Sequence, residues 1–313
     1  MSRLSTLLLA LAAALAAGAT SDVVGASAVA AATSPAILYI QAVNCPAHKS
    51  CTHLPAYFER IRQIARIGFP STQLSSGAFS DSHPVWSGDH RQIAFVRESH
   101  NGLSYTLWVM NANGRGARAL THGNVLDTEP SWSPDGKHIV FRSDSPNRRT
   151  ADLYSIGVNG RGLRDITHNP DSVGALDPDW SPNGKLIVFA RTEQSSGAGT
   201  GIYTIRPDGT GLRRLRIGGL DPAWSPSGKR VAFVLADPHS GGQLQIFVMN
   251  ANGSGRVRLT SGRESTAPSW SPDGTRVVFV RGTQITLIGA NGKGIKQLTR
   301  SLHGGKFVDT PDW

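Results

Sequence analysis

Acidic residues recur along this sequence three to six residues before a tryptophan. They are Asp81, Asp127, Glu129, Asp177, Asp221, Glu264 and Asp309. Clustered carboxylates could hold a divalent metal ion or dock a basic peptide segment. The local alternative is that these side chains cap turns by accepting hydrogen bonds from backbone N–H groups. Both interpretations stay open, and we treat the set as a candidate binding face.

Other chemical signals are weak. His122 and His168 hold equivalent positions and could join a metal site, or they could be solvated loop residues. The pair Gly114-x-Gly116 follows a turn rather than opening a helix, so a dinucleotide site is not indicated. No G-x-S-x-G nucleophile elbow is found. We therefore assign no catalytic residue and expect no cofactor, apart from a divalent cation that the acids could take.

A repeat organises these residues. Pro-x-Trp-Ser-Pro-Asp-Gly or a close variant, followed by a short apolar strand, occurs at 84–97, 130–143, 178–191, 222–235 and 268–281, and PDW at 311–313 begins a sixth copy. The tryptophans stand 43 to 48 residues apart. A period in the mid-forties is typical of one four-stranded blade of a β-propeller.

A second hairpin follows each first one, with Asn-Gly or Asp-Gly between its strands, as in LWVMNANGRGARALT (107–121). Such dipeptides tolerate the positive φ of tight hairpin turns. Each repeat is therefore predicted to form four antiparallel strands. The fold class that follows is all-β, a six-bladed β-propeller. The segments 37–40 and 309–313 are predicted to pair in one blade, which closes the ring and removes an open edge.

The WSPDG strand followed by a hairpin with an Arg/Leu/Thr strand resembles the repeat of TolB-like propellers over roughly residues 35–313. The resemblance implies the fold, and for function it implies an envelope protein that binds another protein. Similar repeats also occur in some sugar-active enzymes. The acids recur by repeat, whereas catalysis needs chemically distinct residues in one pocket. We therefore favour a non-catalytic protein-, peptide- or glycan-binding module, with a metal-assisted saccharide lyase or hydrolase as the alternative.

The N-terminus resembles a signal peptide. Arg3 precedes an apolar run at 7–17, and small residues suited to cleavage follow at 17–19. We expect a signal peptide and spacer over 1–34, a propeller over 35–313, and a secreted, periplasmic or extracellular location. An uncleaved anchor is the alternative. In an oxidising compartment Cys45 and Cys51 are expected to form a disulfide, with two free thiols as the alternative.

The chain is basic, with a formal net charge of +10. Many cations fall on the predicted outer strands: Arg118, Arg164, Arg213, Arg214, Arg256, Arg258 and Lys296. They could protect strand edges from aggregation or bind a polyanion. We favour edge protection and expect a monomer whose partner is an envelope protein or peptide, or a glycan. We expect no nucleic acid partner and no transmembrane span.

Overall fold

We describe a computed structural model of the chain. It describes residues 36–44, 57–64, 71–77, 79–99, 102–123, 125–144, 150–170, 173–193, 199–299 and 308–313. Residues Ser34–Trp313 form one compact unit. Within the described residues, no helix is long and apolar enough to serve as a membrane span. Cys45 and Cys51 lie outside the described residues, so their predicted disulfide stays a prediction.

The described chain is built almost entirely of short strands. They are β1 (Ile37–Asn44), β2 (Tyr57–Ile64), β3 (Thr72–Gln73), β4 (Asp81–Trp86), β5 (Gln92–Glu98), β6 (Tyr105–Asn111), β7 (Arg118–Ala119), β8 (Leu126–Trp132), β9 (His138–Asp144), β10 (Ala151–Gly157), β11 (Arg164–Asp165), β12 (Val173–Trp180), β13 (Ile187–Glu193), β14 (Gly199–Ile205), β15 (Arg213–Ile217), β16 (Leu220–Trp224), β17 (Arg230–Ala236), β18 (Leu244–Asn250), β19 (Val257–Arg258), β20 (Ser265–Trp270), β21 (Arg276–Arg281), β22 (Gln284–Gly289), β23 (Lys296–Gln297) and β24 (Val308–Asp312). A 3-10 turn at Pro238–Ser240 follows β17.

The strands form antiparallel sheets in chain order. Strands β12–β15, β16–β19 and β20–β23 each make a four-stranded sheet. Strands β4–β7 and β8–β11 make two similar runs, joined into one sheet by a parallel pairing of Tyr105 with Leu126. Each run consists of two successive hairpins, as the repeat predicts. The all-β class and the four-stranded antiparallel sheets are thereby confirmed.

The remaining sheet contains both ends of the described chain, in the order β24-β1-β2-β3. Leu38 pairs with Asp312 and Ile40 pairs with Asp309. Trp313 is buried against Ile37, which places the last residue in the core. The predicted pairing of the two end segments is therefore present. No hydrogen-bonded sheet runs around the whole described molecule, because sheets meet mainly through side chains.

The second strand of each repeat is buried on both faces. Its phenylalanine is at most 1% exposed in five repeats: Phe95, Phe141, Phe189, Phe233 and Phe279. Clusters of buried apolar side chains span neighbouring sheets, as where Val188 and Ala190 contact Trp224 and Phe233. Burial of both faces explains why these strands read as continuous apolar runs rather than alternating ones.

A threonine stands two residues after the outermost strand in four repeats. The hydroxyls of Thr121, Thr167, Thr260 and Thr299 accept a hydrogen bond from a backbone N–H at the start of the third strand, at 2.9 to 3.0 Å. In the sheet β12–β15 the equivalent residue is Arg216. Strand β15 is also longer, with five residues against two in β7, β11, β19 and β23.

The threonine bond leads to a first prediction. Thr299→Val should lower the free energy of unfolding by about 1 kcal/mol, because the N–H of Ile285 loses its side-chain acceptor. Urea denaturation measures the change. Thr150→Val is the matched control, since the buried Oγ1 of Thr150 has no hydrogen-bond partner among the residues that the structure describes. Equal losses in both variants would contradict the capping role of Thr299.

Candidate functional site

The first strands of all the sheets converge on one cavity of about 580 Å³. Strands β4, β8, β12, β16, β20 and β24 contribute equivalent residues to it. The repeat tryptophans line it: Trp86, Trp132, Trp180, Trp224, Trp270 and Trp313. The prolines that stand two residues before these tryptophans also line the cavity. Its wall therefore combines flat apolar surface with the polar groups described next.

A backbone irregularity turns the residue before each proline toward this cavity. His83, Glu129, Asp177, Asp221 and Ala267 hold this position, with φ between 47° and 55°. The strand register shifts at each of these points. A residue before proline normally takes an extended conformation, and left-handed backbone is unfavourable for residues other than glycine by about 1–3 kcal/mol. Recurrence in successive sheets shows that the surrounding fold imposes it.

Three acids at this position connect neighbouring sheets. The Glu129 carboxylate accepts a hydrogen bond from the Asp177 N–H at 2.6 Å. Asp177 accepts one from the Asp221 N–H at 3.2 Å, and Asp221 accepts one from the Ala267 N–H at 3.0 Å. These carboxylates therefore do cap backbone N–H groups, but those of the next sheet rather than those of their own turn.

The carboxylates of Glu129, Asp177 and Asp221 are not equally compensated by nearby cations. Glu129 lies 3.2 Å from the guanidinium of Arg142, which also pairs with Asp144 at 2.8 Å. Burial, followed by the nearby charges of Glu129 and Asp221, raises the pKa of Asp177 well above its ordinary value. A cation brought beside Asp177 would favour its ionised form.

Two further acids lie directly before a tryptophan, and the sequence analysis missed both. Asp179 accepts hydrogen bonds from Ser131 Oγ at 3.1 Å and from the Trp224 N–H at 2.6 Å. Asp312 accepts them from Ser269 Oγ at 3.0 Å and from the Trp86 N–H at 2.8 Å. Burial raises the pKa of Asp179 to about 7 and also raises that of Asp312. The recurrence of PDW at 178–180 and 311–313 was the available signal.

The residue directly before a repeat tryptophan links neighbouring sheets in one of two ways. At Ser131, Asp179 and Asp312 the side chain accepts the backbone N–H of the next tryptophan, as Ser131 does from Trp180 at 3.0 Å. Where it is apolar, the next indole donates to its carbonyl instead. Trp132 donates to Val85 at 3.2 Å, and Trp270 donates to Ala223 at 3.1 Å.

Two of the predicted acids are buried away from the cavity. Asp81 forms a two-point ion pair with Arg97, at 2.6 and 2.9 Å. Asp127 is 3% exposed and bonds the hydroxyls of Ser143 and Thr121; burial raises its pKa. Both side chains support the fold locally rather than lining the cavity.

Glu264, His122 and His168 also lie apart from it. Glu264 and His122 are exposed. His168 is exposed and pairs with Asp165, its Nδ1 lying 3.3 Å from the carboxylate. Asp309 pairs with Ile40 in the sheet. The structure thus brings together Glu129, Asp177 and Asp221 and places Asp81, Asp127, Glu264, His122 and His168 elsewhere. Among the described residues, no three His, Cys, Asp or Glu side chains form a group suited to a metal ion.

The cavity is acidic. Its described lining includes the carboxyls of Glu129, Asp177, Asp179, Asp221 and Asp312, and that lining holds neither lysine nor arginine. Apolar walls with a few polar groups are typical of ligand pockets, and this volume lies within their usual range. Such a surface favours a cationic group attached to an apolar or extended chain.

Comparison with known proteins establishes the fold. Residues 70–221 match the family model of the TolB beta propeller domain. TolB from Acinetobacter baumannii is 22% identical, with a TM-score of 0.69 over 90% of this chain and 67% of that one. A putative TolB from Agrobacterium tumefaciens is 19% identical, with a TM-score of 0.65 over 88% and 98%. An oligogalacturonate lyase in complex with manganese is 13% identical, with a TM-score of 0.53 over 84% and 72%. No curated protein matches the sequence.

Proposed function

Because this chain carries a TolB-like β-propeller domain, we propose that it is a non-catalytic binding module of the cell envelope. Its acidic cavity docks a basic segment of a protein or peptide. The observation that carries the proposal is the convergence of carboxylates and tryptophans on one cavity whose described lining has no lysine or arginine. Residues 1–34 direct export, which places the module outside the cytoplasm.

The proposal includes the architecture that positions the cavity, a closed ring of six blades. Six hydrophobic clusters support it, each shared by two units adjacent in the chain or by the first and last. The cluster that holds Ile37 and Tyr39 of the first unit also holds Val278 and Val280 of the unit that precedes β24. Six such interfaces are what a ring of six units requires.

A basic segment suits this cavity for electrostatic and steric reasons. Lysine or arginine would lie beside Glu129, Asp177 and Asp221, each of which already accepts a backbone N–H from the next sheet. Those bonds fix the carboxylates in place before a ligand arrives, so little side-chain entropy is lost on binding. The proline and tryptophan surfaces would contact the aliphatic stems of the same side chains.

Calorimetric titration with a short arginine–glycine peptide tests this function. Asp177→Asn or Asp221→Asn should weaken binding roughly tenfold, because each removes one charge-assisted contact. Glu264→Gln is the matched control, since this exposed acid lies outside the cavity and its loss should leave the affinity unchanged. Melting curves check that the variants fold. Equal weakening by Glu264→Gln, or equal affinity for a glutamate–glycine peptide, would overturn the proposal.

The affinity should also rise with pH. A bound cation favours ionised Asp177, whose pKa is raised in the free protein, so binding releases a proton. Repeating the titration between about pH 5 and pH 8 measures this linkage. An affinity that falls over this range would contradict a role for Asp177.

A saccharide lyase or hydrolase assisted by a metal is the second candidate, favoured by the similarity to an oligogalacturonate lyase in complex with manganese. Metal analysis of the purified protein distinguishes the two. A stoichiometric ion that is lost on Asp177→Ala or Asp221→Ala would favour the enzyme, because both carboxyls line the cavity. Retention of peptide binding after treatment with a chelator would favour the binding module.

A further inference from the structure

A second cavity, of about 460 Å³, lies between β15 and the neighbouring sheet β16–β19. Its lining includes the cationic side chains of Arg216, Arg256 and Arg258, the imidazole of His239, and apolar surface from Leu235, Pro238 and Phe247. None of these residues lines the acidic cavity, so the two sites are independent.

Three departures from the repeat meet at this second cavity. Arg216 stands where four other repeats have a capping threonine and the sheet that contains β1 has Ser75, whose hydroxyl accepts the N–H of Ile61 in the same way. Arg256 stands where other repeats have Ala117, Leu163, Leu212 or Ile295, and the 3-10 turn at Pro238–Ser240 is the only helical segment in the described chain. A residue that occurs at its position in only one repeat is not required by the repeat itself, so its role is specific to that place. Edge protection would not require these substitutions to converge.

The charges here are incompletely paired. Asp237 is engaged by Arg258 and by the backbone N–H of His239 at 3.2 Å. Within the described residues, Arg216 and Arg256 have no carboxylate partner, and the buried Nε of Arg216 has no hydrogen-bond partner. Burial, followed by the nearby charge of Arg256, lowers the pKa of Arg216. Two like charges therefore lie near each other.

Aromatic rings fix both guanidinium groups. Arg216 lies over the ring of Phe233 at 5.7 Å, and Arg256 lies over that of Phe247 at 5.4 Å. Stacking of this kind leaves the in-plane N–H donors of arginine free to bind an oxyanion. The arrangement supplies fixed donors at one side of the cavity and apolar surface at another.

We propose that this cavity binds a phosphate group carried by a small organic moiety. A phosphomonoester brings a charge of about −1.5 to −2, enough to neutralise both unpaired arginines, and it offers oxygens suited to bidentate contacts. The organic moiety would contact Leu235, Pro238 and Phe247. A carboxylate offers half that charge and would leave one arginine uncompensated.

Titration of the full chain with phenyl phosphate tests the proposal. The wild-type protein should bind phenyl phosphate more tightly than inorganic phosphate. It should bind benzoate at least about tenfold more weakly than phenyl phosphate. Arg216→Thr, which restores the residue of four other repeats, should weaken phenyl phosphate binding at least about tenfold and leave the fold intact. Arg256→Leu should act in the same direction.

Arg213→Thr is the matched control, because it removes the same charge from the same strand outside the cavity. Equal weakening by Arg213→Thr would show general electrostatic attraction and overturn the site. Absence of phenyl phosphate binding, or equal binding of benzoate, would also overturn it. Arg216→Thr should leave binding of the arginine–glycine peptide unchanged, which separates this test from that of the acidic cavity.

The phosphate could belong to a soluble ester or to a lipid headgroup. Flotation with vesicles of phosphatidylcholine containing phosphatidic acid distinguishes the sources. Vesicle binding that Arg216→Thr abolishes and Arg213→Thr retains would assign the cavity to a headgroup. Phenyl phosphate binding without vesicle binding would assign it to a soluble ester.

Discussion

Deletion of residues 309–313 should lower the melting temperature by roughly 10 °C or more. The deletion removes the pairing of β24 with β1 and the buried side chain of Trp313. Replacing a buried tryptophan by alanine alone destabilises proteins by about 3–5 kcal/mol, and each kcal/mol lowers the melting temperature of a domain this large by about 2–4 °C. Loss of Asp312 also leaves the N–H of Trp86 without its acceptor.

Single substitutions separate the contributions to this effect. Trp313→Ala should give a large part of the loss, and Leu163→Ala, which alters an exposed side chain, should change the free energy of unfolding by less than about 0.5 kcal/mol. Scanning calorimetry provides the measurement. An unchanged melting curve after the deletion would contradict the role of the end pairing in closing the proposed ring.

Asp179→Asn should flatten the dependence of stability on pH. Burial raises the pKa of Asp179 from 3.8 to about 7 in the native protein. Between these values the unfolded chain has lost this proton while the native chain retains it, so unfolding releases a proton. The free energy of unfolding therefore falls as pH rises through the window, by up to about 4 kcal/mol for this group. Asparagine removes that penalty because it cannot ionise.

Asparagine can also satisfy the same neighbours. Its oxygen can accept the N–H of Trp224, and its amide can donate to Ser131 Oγ. Urea denaturation between about pH 4 and pH 8 measures the profile. A slope will remain in the variant because Asp127, Asp177 and Asp312 also have raised pKa values. Glu264→Gln serves as the control and should keep the wild-type slope; a variant Asp179→Asn with that same slope would contradict the prediction.

The sheets followed from the sequence because the repeat is dense in local signals. Turns such as Asn113-Gly114 and the apolar strands between them leave one pattern of hairpins, and the structure has it. The acids were harder to place. Asp127 and Glu129 are two residues apart on one strand and should share a face. The register shift between Thr128 and Ser131 separates them, and nothing in the residue types announces left-handed backbone before proline.

The second cavity could not be predicted from the positions of the cations alone. The cations predicted to lie on the outer strands included Arg256 and Arg258 but not Arg216. Their recurrence on the outer strands suggested a shared role for these cations. Aligning the repeats position by position would have shown Arg216 in place of threonine, but its convergence with Arg256 depends on how two sheets meet.

The two ways of linking neighbouring tryptophans differ in the acceptor and not in the donor. Asp179 accepts the backbone N–H of Trp224, whereas the carbonyl of Ala223 accepts the indole N–H of Trp270. Every repeat tryptophan offers both of these N–H groups, so the residue directly before the preceding tryptophan decides which one is bound. Evolution can therefore exchange one type of link for the other by a single substitution, without altering the tryptophan that supplies the donor.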